Sequence, residues 1–255
     1  MQEKTAGLVL REVRVGECDK LLTVLTATEG KITVKARGVL RKNSRISSAC
    51  QLFAFSELEL FQTSARWTVD EAEPVELFRP LRDRVEALAL AAYVCEVLEA
   101  LSDADAGVPE LLRLGLNTLY ALSEQTAPDA RIKAVFELRA AAIAGYAPDL
   151  GEDPEDGQPA CLACGAREGL FLCPESGGLF CRLHLPAGER ALPLPPDAAS
   201  AAAYLLNCDP KRIFSFRLSE PGQCALSRAA ETYLCDSLGR GFRTLDYYRQ
   251  FAKGV

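Results

Sequence analysis

The chain has 255 residues, with 29 Lys and Arg against 35 Asp and Glu for a formal net charge of −6, and 49% of it is hydrophobic. That balance excludes disorder, a collagen-like repeat and a disulfide-stapled miniprotein, and the length allows one large domain or two to three small ones. The first residues lack the apolar core of a signal peptide. The longest apolar run, 87–95, falls far short of the ~20 residues of a membrane span, so the expectation is a cytoplasmic protein with no membrane association.

From residue 7 to residue 70 the apolar residues come in short runs rich in Val, Ile, Leu and Thr, without helical period. They give five candidate strands at 7–15, 20–27, 31–37, 52–61 and 66–70, with Thr28, Glu29 and Gly30 as a hairpin turn. Five short strands in about 70 residues suit a small closed barrel of the OB type, because closure removes exposed edges; an SH3-like barrel stays open as the alternative. Charge is concentrated here. Residues 1–48 hold ten basic and five acidic side chains, a balance of +5, which leaves −11 on the remainder. One end can therefore face a polyanion while the rest repels it.

The densest basic stretch is Lys35, Arg37, Arg41, Lys42 and Arg45, five cations and no acid in eleven residues. On a strand over 31–37, Lys35 and Arg37 share a face with Lys31 and Thr33, while Ile32, Val34 and Ala36 face the core. A cationic strand face running into a cationic loop is a track for phosphates, with affinity insensitive to sequence and steeply dependent on salt. The other reading is a solvated strand that uses lysine to avoid edge aggregation. No Phe, Tyr or Trp occurs between residues 1 and 52, so the first three strands offer no stacking platform. Phosphate contact has to dominate, and duplex as well as single strands should be accepted.

From Pro80 the period becomes helical, over 82–101, 109–125 and 129–145, with Pro109 near a helix start and Pro128 between the second and third helices. Residues 145–160 are rich in Gly, Pro and acids and read as a connection, as does the Pro-rich 186–196. Helical spacing resumes at 197–207 and 226–238. Arg131 and Arg139 lie eight apart on one expected helix, where they either receive an acidic tail or stay solvated.

Between those helices, Cys161-Leu-Ala-Cys164-Gly165 is followed by Cys181-Arg-Leu-His184. Two residues between ligands let both point at one ion from a tight turn, and two such pairs complete the tetrahedron of structural zinc. The only His of the chain stands at the fourth position, and Gly177 and Gly178 permit the bend that returns the second pair to the first. Cys173 sits midway, either as a substitute for His184 or facing the core of the small module. With all four positions filled by protein, Zn2+ is expected to be structural rather than catalytic. The other six cysteines, Cys18, Cys50, Cys95, Cys208, Cys224 and Cys235, are read as buried thiols without chemistry. No GxxxxGK[ST] or GxGxxG sequence is present and the single His is committed to metal, so no enzyme is expected; carboxylate-metal nuclease chemistry is the exception that sequence does not exclude.

Gly7-Leu-Val-Leu10, Gly16-Glu17-Cys18-Asp19-Lys20, Thr26 through Lys31, Lys35-Ala36-Arg37-Gly38 and Ser44-Arg45 resemble, in order and spacing, the N-terminal block of the bacterial RecO recombination-mediator family. The CxxCG pair, Phe171 and Gly177-Gly178 before the second ligand pair are similar to that family's zinc module, whose last ligand is often Cys. The ending from Gly241 to Tyr248 is similar to the family's final segment. The resemblance implies a multi-domain α+β protein: an N-terminal five-stranded OB-fold barrel over 1–79 and a helical domain over 80–255, with the zinc module inserted at about 158–188. It also implies a non-enzymatic role in DNA repair and recombination after DNA damage, nucleoid-associated during repair. Such proteins bind single- and double-stranded DNA, anneal complementary strands and work with RecR to load RecA onto DNA coated by single-strand binding protein, whose acidic tail is a candidate for Arg131 and Arg139. By the same resemblance DNA would be carried by Lys35, Arg37, Arg41, Lys42 and Arg45. An interaction adaptor without nucleic-acid binding and an RNA-binding OB-fold protein are the alternatives.

Overall fold

A computed structural model describes residues 2–63, 66–103, 107–153 and 156–252. The chain packs as two compact units that divide between Glu124 and Gln125.

In the first unit, β1 (Gln2–Val15), β2 (Asp19–Thr26), β3 (Lys31–Ala36), β4 (Phe55–Thr63) and β5 (Arg66–Glu76) form a closed barrel in the order β1-β2-β3-β5-β4, with β4 pairing back on β1. Every neighbour is antiparallel except β3 and β5, which run parallel through Val34↔Trp67 and Lys35↔Thr68. This is the OB arrangement. Val9, Leu22, Val24, Val34, Leu58, Leu60 and Val69 fill its interior, and β3 alternates buried Ile32, Val34 and Ala36 with outward Lys31, Thr33 and Lys35 as its period requires.

β1 and β5 are longer than their apolar patterns. Residues 2–6 and 71–76 are mostly polar, and it is main-chain pairing with β4 rather than burial that makes them strand. Between β3 and β4 the chain makes a series of turns that plugs one end of the barrel with Val39, Ala49, Cys50 and Ala54. Those turns are tied down by Leu40 N–H donating to the Cys18 carbonyl (3.0 Å), Phe53 N–H to Val9 (3.0 Å) and the Ser56 hydroxyl to Ala49 (3.0 Å).

Helices α1 (Val85–Leu101) and α2 (Pro109–Ser123) follow a short 3-10 turn at Arg79–Asp83 and belong to the same unit. Their fit against the barrel explains this. A Cβ on Gly115 of α2 would lie 2.6 Å from Leu98 of α1 and 3.6 Å from Leu8 of β1, so the glycine permits a close three-element crossing. The change from strand to helix falls near residue 80, and the packing unit runs on past it to Glu124.

The second unit holds α3 (Asp129–Ile143), the strands β6 (Leu170–Cys173), β7 (Gly178–Cys181) and β8 (Leu192–Leu194), then α4 (Pro196–Asn207), α5 (Glu220–Ser237) and α6 (Arg243–Arg249). The strands form one small sheet in the order β7-β6-β8. α5 begins at Glu220 rather than 226: Ser219 caps it by accepting from Gly222 N–H (3.0 Å), and Pro221 sits in the first turn, where a missing N–H is harmless. Gly222 has a packing reason, since a Cβ there would lie 2.3 Å from an Asp197 carboxylate oxygen. Among the described residues no helix is long and apolar enough to cross a membrane.

Candidate metal centre and nucleic-acid interface

The Cys/His cluster is built by two tight turns joined through β7. In the first, Gly165 N–H donates to the Cys161 carbonyl (2.8 Å) with Gly165 at φ 70°, and Leu162 N–H donates to Leu179 of β7 (3.0 Å). The second starts where β7 ends, with Cys181, and continues through the 3-10 turn Arg182–His184. The ligand atoms of Cys161, Cys164, Cys181 and His184 all lie within 4.8 Å of one another. Cys164 Sγ and Cys181 Sγ are 3.8 Å apart, and Cys181 Sγ is 3.2 Å from His184 Nδ1. A tetrahedral site with metal–sulfur bonds of about 2.3 Å has sulfur–sulfur edges of about 3.8 Å, the separation of Cys164 and Cys181, so this donor set suits a metal ion.

The thiols of the first pair are shifted in opposite directions, Cys161 down and Cys164 up. Burial pushes the Cys161 thiol up, but the backbone N–H groups of Cys181, Ala163 and Cys164 aimed at its sulfur together outweigh that and bring it down to about 6. Cys161 and Cys181 are buried while Cys164 and His184 face solvent, an ordinary placement for an ion near a module surface. Cys173 stands outside the cluster: it is fully buried at the end of β6, and burial raises its thiol. Spacing left it two roles, and it occupies the core.

The cations of 35–45 divide into two kinds. Lys35 is half-buried on β3 and forms an ion pair with Asp19 (2.9 Å), while Asp19 also accepts from Gly38 N–H (2.8 Å). The Gly38 N–H and the Lys35 ammonium hold the Asp19 carboxyl below the usual carboxylate range. Arg37, just beyond β3, and Arg41, Lys42 and Arg45, in the turns after it, are exposed and have no ion-pair partner among the described residues. The bond from Leu40 to Cys18 sets this cationic loop beside the β1–β2 turn. Sequence reading missed Asp19 as the counter-charge, since nothing in the pattern says which acid will face Lys35.

The structure adds detail to two other expectations. Arg131 and Arg139 are half-buried, and each has hydrogen-bond partners within its own unit. Arg131 donates to Gln223 (3.1 Å) and the Phe216 carbonyl (3.1 Å), with its guanidinium 5.6 Å from the Phe216 ring, and Arg139 donates to the carbonyls of Leu205 (2.9 Å) and Leu206 (3.0 Å) at the end of α4. The scattered cysteines are not uniformly buried: Cys50 and Cys95 are, with burial pushing Cys50 up to about 12, but Cys224 is exposed.

The first unit is an OB-type barrel with an exposed cationic loop, and the second embeds a three-cysteine, one-histidine cluster among its helices. Residues 1–78 match the family described as Recombination protein O N terminal, and residues 82–246 match Recombination protein O C terminal. The chain belongs to the RecO family of DNA repair proteins. It is similar to proteins named DNA repair protein RecO from Acetivibrio thermocellus (29% identical, 96% of each chain covered), Symbiobacterium thermophilum (30%, 94% of each) and Bacillus subtilis (28%, 91% of this chain and 88% of the relative).

Proposed function

We propose that this chain is a non-enzymatic mediator of DNA repair and recombination. Its barrel binds single- and double-stranded DNA without sequence preference and anneals complementary strands. With RecR it helps load RecA onto single-stranded DNA coated by single-strand binding protein, in the cytoplasm and on the nucleoid. The observation that carries this reading is the group of exposed cations Arg37, Arg41, Lys42 and Arg45, with no ion pair within 4.0 Å among the described residues, beside the β1–β2 turn of an OB-type barrel. Annealing needs the phosphate repulsion between two strands to be screened while base edges stay free, and a cationic loop without aromatic rings does that. Lys35 joins the track with part of its charge already spent on Asp19.

Zn2+ is the ion we assign to Cys161, Cys164, Cys181 and His184, because three thiolates and an imidazole in a tetrahedron suit it and leave no position for water. It supplies a cross-link between the two turns. Such a bond contributes on the order of 10 kcal/mol in small zinc peptides, more than so small a sheet gains from its own core.

The test is fluorescence anisotropy of labelled single- and double-stranded oligonucleotides near 50 mM salt. Arg37→Glu/Arg41→Glu is expected to lose roughly tenfold or more on both ligands, and Lys35→Gln less than that, since Lys35 is paired. Absence of binding by the unmodified chain would favour an adaptor, and tighter binding of a matched RNA strand would favour an RNA-binding protein.

A further inference from the structure

The three cysteines of the Cys/His cluster meet solvent unequally. Cys161 and Cys181 are 3% and 6% exposed, whereas Cys164 lies at the surface. Arg182 and Leu183, between Cys181 and His184, are exposed as well, and so is Ala163 beside Cys164, which leaves this side of the cluster open to small solutes. The Cys161 sulfur is held on the inner side by the backbone N–H groups of Cys181, Ala163 and Cys164. The Cys164 sulfur is 3.8 Å from that of Cys181, and a small side-chain movement closes such a pair to the roughly 2 Å of a disulfide. Cys173 is fully buried at the end of β6, outside the cluster.

This arrangement has a defined chemistry toward hydrogen peroxide. The Cys164 thiolate attacks one peroxide oxygen, the O–O bond breaks, hydroxide leaves and the sulfur becomes a sulfenic acid. The Cys181 thiolate then attacks that sulfur, the S–O bond breaks, a second hydroxide leaves and the S–S bond forms. Two thiolates are oxidised by two electrons together and one peroxide is reduced. Cys161 and His184 are left as the only donors, too few for a tetrahedral site.

We propose that Cys164 and Cys181 form a peroxide-sensitive switch, in which an exposed thiolate and a buried neighbour join in a disulfide and the cluster gives up its ion. The proposal rests on the reading of the cluster as a zinc site and adds how that site is emptied. β7 ends at Cys181 and pairs with β6, and β6 pairs with β8 just ahead of α4, so loosening of the turns reaches the helices of the same unit. Both chemical steps are reversed by thiol reductants, which makes the change a switch rather than damage.

The experiment treats the zinc-loaded full chain with hydrogen peroxide, follows the freed ion with a colour-forming chelator and locates the disulfide by peptide mapping. Release of the ion together with a Cys164–Cys181 link is expected, and a thiol reductant with added Zn2+ should reverse both. Cys164→His keeps four donors but removes the attacking thiolate, and should release the ion about tenfold more slowly or less. Cys224, exposed on α5, reports within the same digest that the oxidant has acted. An ion retained although Cys224 is oxidised, a link from Cys164 to Cys161 or Cys173, or a Cys164→His chain that releases as fast as the unmodified one overturns the switch. The measurements on the unmodified chain stand even if the variant fails to fold. A chain that takes up no Zn2+ before peroxide is added overturns the zinc reading itself.

Discussion

Lys133 is 1% exposed, yet it stays charged because two carboxylates reach it: Glu137 at 2.8 Å and Glu231 at 2.7 Å. Burial pushes its ammonium pKa down, and the charges of Glu137 and Glu231 more than reverse that. Burial likewise pushes Glu231 up, while Lys133 and Arg249 hold it below its ordinary 4.5. A carboxyl lowered in the folded state contributes stability that is present above its unfolded pKa and is lost as pH falls through the folded one. The urea midpoint is therefore expected to drop as pH falls below about 4.5, and Glu231→Gln should flatten that drop while lowering the midpoint at pH 7. Lys133→Met, which takes the ammonium away from buried Glu137 while Glu231 keeps Arg249, should cost about 3 kcal/mol in the same measurement. None of this was legible. Lys133 and Glu137 have the i, i+4 spacing of a solvated surface pair, and only the covering of α3 by α4 and α5 buries them. The Cys/His cluster was legible because two-residue spacing encodes a local turn, whereas Cys173 had no such local signature.

The strands could be read where burial alternates, as in β3, and were cut short where pairing alone makes them, as at the start of β1 and the end of β5. α6 was missed because seven residues contain too few turns to show a period. The Cys/His turns are small elements with little core of their own. Chelation is thus expected to open residues 161–184 to limited proteolysis while fragments of the barrel keep their protection, and added Zn2+ should restore resistance. Unchanged cleavage after chelation would show that the turns hold without an ion. The two family matches meet between residues 78 and 82, just past the end of β5 at Glu76. That α1 and α2 pack in the barrel's unit could not be read, because it depends on the Gly115 crossing.

A chain with a net charge of −6 can hold DNA only through a local excess of cations, and this has a measurable signature. Four exposed cations releasing counterions predict a slope of log affinity against log salt of about −3 for single strands. Arg37→Gln/Arg41→Gln should halve it, and a slope near zero would count against the phosphate track. The second unit has a different kind of interdependence. β8 pairs with β6 of the Cys/His module and leads within two residues into α4, so the module is threaded through the helical fold instead of hung from it. It cannot be snipped out as a cassette: a shortened chain rejoined across it would deprive α4 of its lead-in strand.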